Sequence, residues 1–101
     1  MVHKPDLLSK SDLSIKMGWK QIGSNGHKII FVTNEEGSLI GSVTDGDIRR
    51  WILNDGSILD PITKVMNLDP LVAHETDSEA KIKKIMLERR IECLPVVDLA
   101  F

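Results

Sequence analysis

The sequence holds a single cysteine, Cys93, among its 101 residues. No disulfide can close within one chain, which fits a protein kept in a reducing cytoplasm. Long apolar runs are missing too. The longest span only a few residues, short of the roughly 20 that a membrane-spanning helix needs. The opening Met1-Val2-His3-Lys4-Pro5-Asp6 has no apolar stretch behind it and does not read as a secretory signal. Basic charge is not in excess: the formal net charge is −2, with both signs interspersed. A nucleic-acid or acidic-membrane surface needs such an excess, so neither partner is expected. His3, His27 and His74 have no Cys or Asp partner at metal-ligand spacing, and no metal site is expected. No nucleophile–base pair stands out, so no catalytic residue is named.

What remains is enough for one small domain with a shallow core. Residues 1–10 read as an irregular lead containing Pro5. Ser11, Asp12 and Ser14 offer capping oxygens before a helix running to about Gln21 or Ile22. Ile15, Trp19 and Ile22 give that helix one apolar face. Gly23-Ser24-Asn25-Gly26 is expected to end it. Ile29-Ile30-Phe31-Val32 is a continuous, β-branched run that suits a strand buried on both faces. Asn34 to Ser38 is a polar hairpin loop, and Leu39 to Val43 is the return strand. Thr44 or Asp45 then caps a second helix over about Gly46–Leu53. Its expected inner face is Ile48, Trp51 and Ile52, and Asn54-Asp55-Gly56 stops it.

Residues 57–69 read as a connection with Pro61, and Leu71-Val72-Ala73 as an extended piece. Thr76, Asp77 or Ser78 caps a helix over about 78–90. Ile82, Ile85 and Met86 lie on its inner face, while Lys81, Lys83, Lys84 and Glu88 face water. Cys93 to Val97 reads as a strand, with Cys93 an inert core residue, and Asp98 begins a turn.

The order of elements repeats. Ser14-Ile15-Lys16-Met17 overlays Asp77-Ser78-Glu79-Ala80, and Phe31-Val32-Thr33-Asn34 overlays Pro95-Val96-Val97-Asp98, with a one-residue length change between them. The first copy continues from Glu35 to Asn54. The second has only Leu99-Ala100-Phe101 after its matching point, so its return strand and second helix are not in this sequence.

The stretch with the most chemistry is Gly41-Ser42-Val43-Thr44-Asp45-Gly46-Asp47-Ile48-Arg49-Arg50. It sits where a strand hands over to a helix. A helix start presents free N–H groups and partial positive charge, which suit a phosphate. Thr44 adds a hydroxyl. Asp47, one turn on, is able to accept two hydrogen bonds from a ribose diol. Gly41 lets the backbone approach a ligand closely. Asp45 and Asp47 do not face each other as a catalytic carboxylate pair; capping and ribose contact account for both. Arg49 and Arg50 read as solvated residues or as phosphate contacts.

Here the sequence resembles the cystathionine-β-synthase (CBS) domain family, whose signature is Gly, a hydrophobic residue, any residue, Thr or Ser, two residues, and Asp. Gly41, Val43, Thr44 and Asp47 fit; polar Ser42 departs from the hydrophobic position. Pro61 to Asn67 followed by Asp69-Pro70 looks like the bridge between two repeats. The resemblance covers about residues 11–98. It implies an α/β fold, α+β by some conventions: a CBS-domain fold with one complete β-α-β-β-α repeat plus about half of a second. The first repeat would occupy residues 1–56, the connection 57–69 and the partial second repeat 70–101.

The resemblance also implies function: a regulatory module, not itself an enzyme and without a catalytic cofactor, that binds an adenosine nucleotide (AMP, ADP or ATP). Thr44 would serve the phosphate and Asp47 the ribose, with Gly41 and Ser42 beside them. Lys28 and Ile29 would approach the base, as would Lys10 before the first helix. The string Thr-Asp-Gly-Asp-Ile-Arg-Arg looks like modules attached to sugar-nucleotide nucleotidyltransferases and sugar-phosphate isomerases. Expected partners are the nucleotide, an attached or associated enzyme domain, and a second copy in a homodimer. The alternative is a ligand-free CBS module that only holds a dimer together.

Overall fold

The computed structural model describes residues 7–89 and 94–97. The elements are β1 Leu8–Lys10, α1 Ile15–Asn25, β2 Ile29–Thr33, β3 Leu39–Thr44, α2 Asp45–Leu53, a 3₁₀ turn Ile62–Lys64, β4 Ala73–His74, α3 Glu79–Arg89 and β5 Val96–Val97. The contacts divide them into two compact units, one ending at Pro70 and the other beginning at Leu71.

The first unit is built on a three-stranded sheet ordered β1-β2-β3. β1 runs parallel to β2, with Leu8 opposite Phe31 and Lys10 opposite Thr33. β2 and β3 form an antiparallel hairpin with Ile29 opposite Thr44. Asn34 closes its turn: the side-chain oxygen accepts from the backbone N–H of Glu36 and of Ser38. The lead is therefore not irregular from Leu8 on. Three residues show no apolar period, and β1 owes its strand conformation to β2 beside it.

Helix α1 starts where Ser14 accepts from the Met17 N–H. It ends later than the glycine-rich stretch suggests. Gly23 stays helical and exposed, and the left-handed cap is Gly26 at φ 77°. An exposed mid-helix glycine costs only about 1 kcal/mol, which the packed face tolerates. Helix α2 ends at Leu53, but Asp55 rather than Gly56 takes the left-handed conformation, at φ 65°. Gly56 is needed for a different reason. A Cβ there would fall 2.2 Å from the Trp51 indole, whose N–H donates to the Ser57 carbonyl.

The core gathers Ile15 and Ile22 from α1, Ile30 and Val32 from β2, Val43 from β3, Ile48 from α2 and Ile62 from the 3₁₀ turn. Burying each such side chain is worth roughly 1.5–3 kcal/mol. Trp19 and Trp51 are half-buried against it. Ile52 is not part of the inner face; it is exposed, because Ile48 and Trp51 already cover the sheet side of α2. The segment after α2 is laced to α1. The N–H groups of Ile15 and Lys16 reach the carbonyls of Asp60 and Ile58, and the N–H of Ile62 reaches that of Leu13. Gly18 lets Ile62 in: a Cβ there would meet the Ile62 side chain at 2.7 Å.

In the second unit β4 and β5 pair in parallel, Ala73 with Val96 and His74 with Val97. Ser78 caps α3 by accepting from the Lys81 N–H. Ile82, Ile85 and Met86 are half-buried, and Lys81, Lys83, Lys84 and Glu88 are exposed. His3, Pro5, Cys93 and Asp98, for which the sequence sets expectations, lie outside the described residues.

Candidate functional site

Thr44 closes β3 and caps α2. Its hydroxyl accepts from the Asp47 N–H at 3.2 Å, and the Asp47 carboxylate accepts from the Thr44 N–H at 2.9 Å. This reciprocal capping box fixes both side chains at the helix start. The other Asp47 oxygen accepts from the Arg50 guanidinium at 2.6 Å. The Thr44 O–H proton remains to be donated outward, since the hydroxyl serves the helix as acceptor.

Asp45 is held from two sides. The Trp19 indole N–H donates to one oxygen at 2.8 Å and the Arg49 Nε–H to the other at 2.6 Å. The indole hydrogen bond first, and the Arg49 guanidinium second, keep its carboxyl below the ordinary 3.8. Its backbone N–H donates to the Lys28 carbonyl, which brings the turn before β2 to the same place. Lys28 is exposed and left-handed at φ 61°; Ile29 lies half-buried opposite Thr44.

Lys28, Ile29, Thr44 and Asp47 thus share one end of the sheet. Lys10 does not join them. It sits opposite Thr33, four residues beyond Ile29 along β2, about 13 Å away at the ~3.3 Å rise of a strand. There it lines a separate polar cleft of about 470 Å³ with Ser11, Asp12, Thr33, Asn34 and Glu35.

At Gly41 the close neighbour is the connecting segment. A Cβ on it would meet the Met66 sulfur at 2.7 Å and the Asn67 carbonyl at 2.9 Å. The close approach it permits is to the connecting segment. Ser42, buried on β3, exchanges two backbone hydrogen bonds with Asn67, at 3.1 and 2.8 Å. Ser42 thus lies between Phe31, its register partner on β2, and Asn67 on its other side. The Trp19–Asp45 bond leaves no signal in the sequence, where the helical spacing of Trp19 marks only an apolar face. Among the described residues no group of three or more His, Cys, Asp or Glu gathers as a metal site. No described helix is long and apolar enough to cross a membrane.

A small α+β unit with a capped strand-to-helix junction, followed by a second, shorter unit of related order, is the class these features define. The CBS domain model matches twice, over residues 6–54 and 62–99. The chain belongs to the CBS domain family.

Its solved neighbours agree on the fold. The structure of CBSX2 in complex with AMP superposes with a TM-score of 0.78 at 20% identity, covering 99% of this chain and 79% of that one. A CBS domain protein from Pyrobaculum aerophilum complexed with AMP gives 0.77 at 17% identity, over 98% and 76% of the two chains. The CBS domain pair of protein MJ0100, in complex with 5′-methylthioadenosine and S-adenosyl-L-methionine, gives 0.74 at 25%, over 96% and 76%. Curated relatives include arabinose 5-phosphate isomerase KpsF of Escherichia coli, 30% identical over 88% of this chain and 28% of that protein. Arabinose 5-phosphate isomerase GutQ of Salmonella typhi is 27% identical over 77% and 24%. The chain spans about a quarter of the length of these relatives. They are isomerases, not nucleotidyltransferases.

Proposed function

We propose that this chain is a regulatory module that binds an adenosine nucleotide at the start of α2 and so biases the state of an attached enzyme. The observation that carries the reading is the capping box. It presents the Thr44 hydroxyl and the Asp47 carboxylate together at a helix N-terminus, where phosphate and ribose are both served. Lys28 and Ile29, brought to the same end by the β2–β3 register, would approach the base. The AMP complexes among the structural neighbours support the ligand class. The isomerase relatives favour a sugar-phosphate isomerase as the attached enzyme, ahead of a nucleotidyltransferase. Regulation requires only that the ligand bind two arrangements of the module unequally. The repeats are read as residues 1–56 and 70–101 joined by 57–69, and the module as a homodimer.

Calorimetry with AMP, ADP and ATP tests this, on wild type and Asp47→Ala. Wild type should bind at least one of them, and the variant should lose about 1.5–3 kcal/mol, the worth of a hydrogen bond to a charged group. Equal binding by both proteins would remove Asp47 from the site.

A second reading is a dimerisation module without a ligand. One observation favours it: both Asp47 oxygens already have protein partners, Thr44 and Arg50. A thermal-shift screen in which no adenosine compound moves the melting temperature would select it.

A further inference from the structure

The segment after the 3₁₀ turn meets β3 over a short stretch. Ser42 and Asn67 form an isolated bridge, one residue wide. The Asn67 N–H donates to the Ser42 carbonyl at 2.8 Å, and the Ser42 N–H to the Asn67 carbonyl at 3.1 Å. The Asn67 side chain bonds onward to the backbone of Asp69. Leu68 and Asp69 are exposed.

A bridge of two bonds on a strand edge opens readily by itself, so the side chains before it matter to the docking. Val65 and Met66 pack against the core cluster, and both are half-buried. The Met66 sulfur comes to 2.7 Å, and its Cγ to 2.9 Å, from the point where a side chain on Gly41 would begin. The Asn67 carbonyl, which accepts from Ser42, stands 2.9 Å from the same point. The thioether therefore fills the notch that glycine leaves, beside the bridge. An apolar, unbranched and adaptable side chain suits that place. A thioether is also a group that peroxide converts into a polar one.

We propose that Met66 is a modification site and the latch of this segment: oxidation of its thioether by hydrogen peroxide releases residues 65–68 from β3. A sulfur lone pair attacks one peroxide oxygen and an S–O bond forms. The O–O bond breaks, and the other oxygen leaves as water after proton transfer. Sulfur loses two electrons and peroxide gains them. Turned toward β3, the new oxygen crowds Gly41 and offers the Ser42 N–H a second acceptor beside the Asn67 carbonyl. Turned to water, it draws the side chain off the core. Either course loosens the bridge. The latch operates whether or not the start of α2 binds a nucleotide. Met17, exposed on α1 and outside the core cluster, serves as the internal control.

The test treats the full chain with hydrogen peroxide, locates sulfoxides by peptide mass spectrometry and follows amide hydrogen exchange, on wild type, Met66→Leu and Met17→Leu. In wild type and Met17→Leu, Met66 should become the sulfoxide. Protection at the Ser42 and Asn67 amides should then fall about tenfold, the scale of losing one or two backbone hydrogen bonds, while α1 keeps its own. A methionine sulfoxide reductase should restore it. Peroxide should leave the bridge of Met66→Leu unchanged. If that substitution itself opens the bridge, Met17→Leu before and after peroxide reads the same difference. Met66 staying reduced while Met17 is oxidised, a Met66 sulfoxide with the bridge still protected, or an equal loss in peroxide-treated Met66→Leu each overturns the proposal.

Discussion

The Trp19 indole N–H donates to the Asp45 carboxylate at 2.8 Å, joining the middle of α1 to the first residue of α2 across 26 positions of sequence. The bond makes the capped helix start part of a rigid frame rather than the end of a loose turn. It also ties the site to the protonation of one group.

Asp45 titrates below 3.8 in the folded chain, owing first to Trp19 and then to Arg49. A carboxyl depressed on folding contributes stability that is present above its unfolded value and lost as pH falls through the folded one. Acid should therefore weaken the first unit below about pH 4 and leave it unchanged near neutrality. The Trp19 indole proton resonance should shift over the same range. Asp45→Asn should flatten that part of the stability profile, as urea unfolding at a series of pH values would show. An unchanged acid limb in the variant would mean that other carboxylates carry it.

Thr44→Ala removes the acceptor for the Asp47 N–H. Loss of an N-cap typically costs about 1 kcal/mol. Thr44→Ser should restore most of it, since the hydroxyl is what caps. Chemical denaturation of the three proteins separates this structural cost from any effect on ligand.

Gly41→Ala should destabilise by roughly 1–3 kcal/mol, the usual range for overpacking. The added methyl would press on the Met66 sulfur and, less avoidably, on the Asn67 backbone carbonyl. Pairing the change with Met66→Ala should recover only part of the loss, because the carbonyl stays. Full recovery would show that Met66 alone sets the need for glycine.

Gly56→Ala drives a methyl into the Trp51 ring at 2.2 Å. The indole is rigid and anchored by its bond to the Ser57 carbonyl, so the backbone must move. A loss of about 1–3 kcal/mol is expected, with a change in Trp51 fluorescence. Retained stability and an unaltered spectrum would contradict the packing described.

Much of this was legible in the residues. The β-branched run at Ile29 announces a buried strand, and Thr44 followed by Asp47 announces a capped helix within one residue of its observed start. Local chemistry determines both. The failures share a different cause. β1 exists because β2 lies beside it, which no property of Leu8-Ser9-Lys10 reveals. The resemblance places Lys10 near the base, yet pairing with Thr33 puts it at the other end of the sheet from Thr44. Gly41 signals that something approaches its backbone, but not that Met66 and Asn67 do. Long-range register decides each of these.

Among the described residues β3 is the outer strand of its sheet, and an outer strand exposes a row of N–H and C=O groups that invites a stray chain. Asn67 occupies that row at Ser42 with two backbone hydrogen bonds. The connecting segment is thereby a guard against aggregation. Substitutions that loosen residues 65–68 should show first as lost solubility during expression, before any change in what the helix start binds.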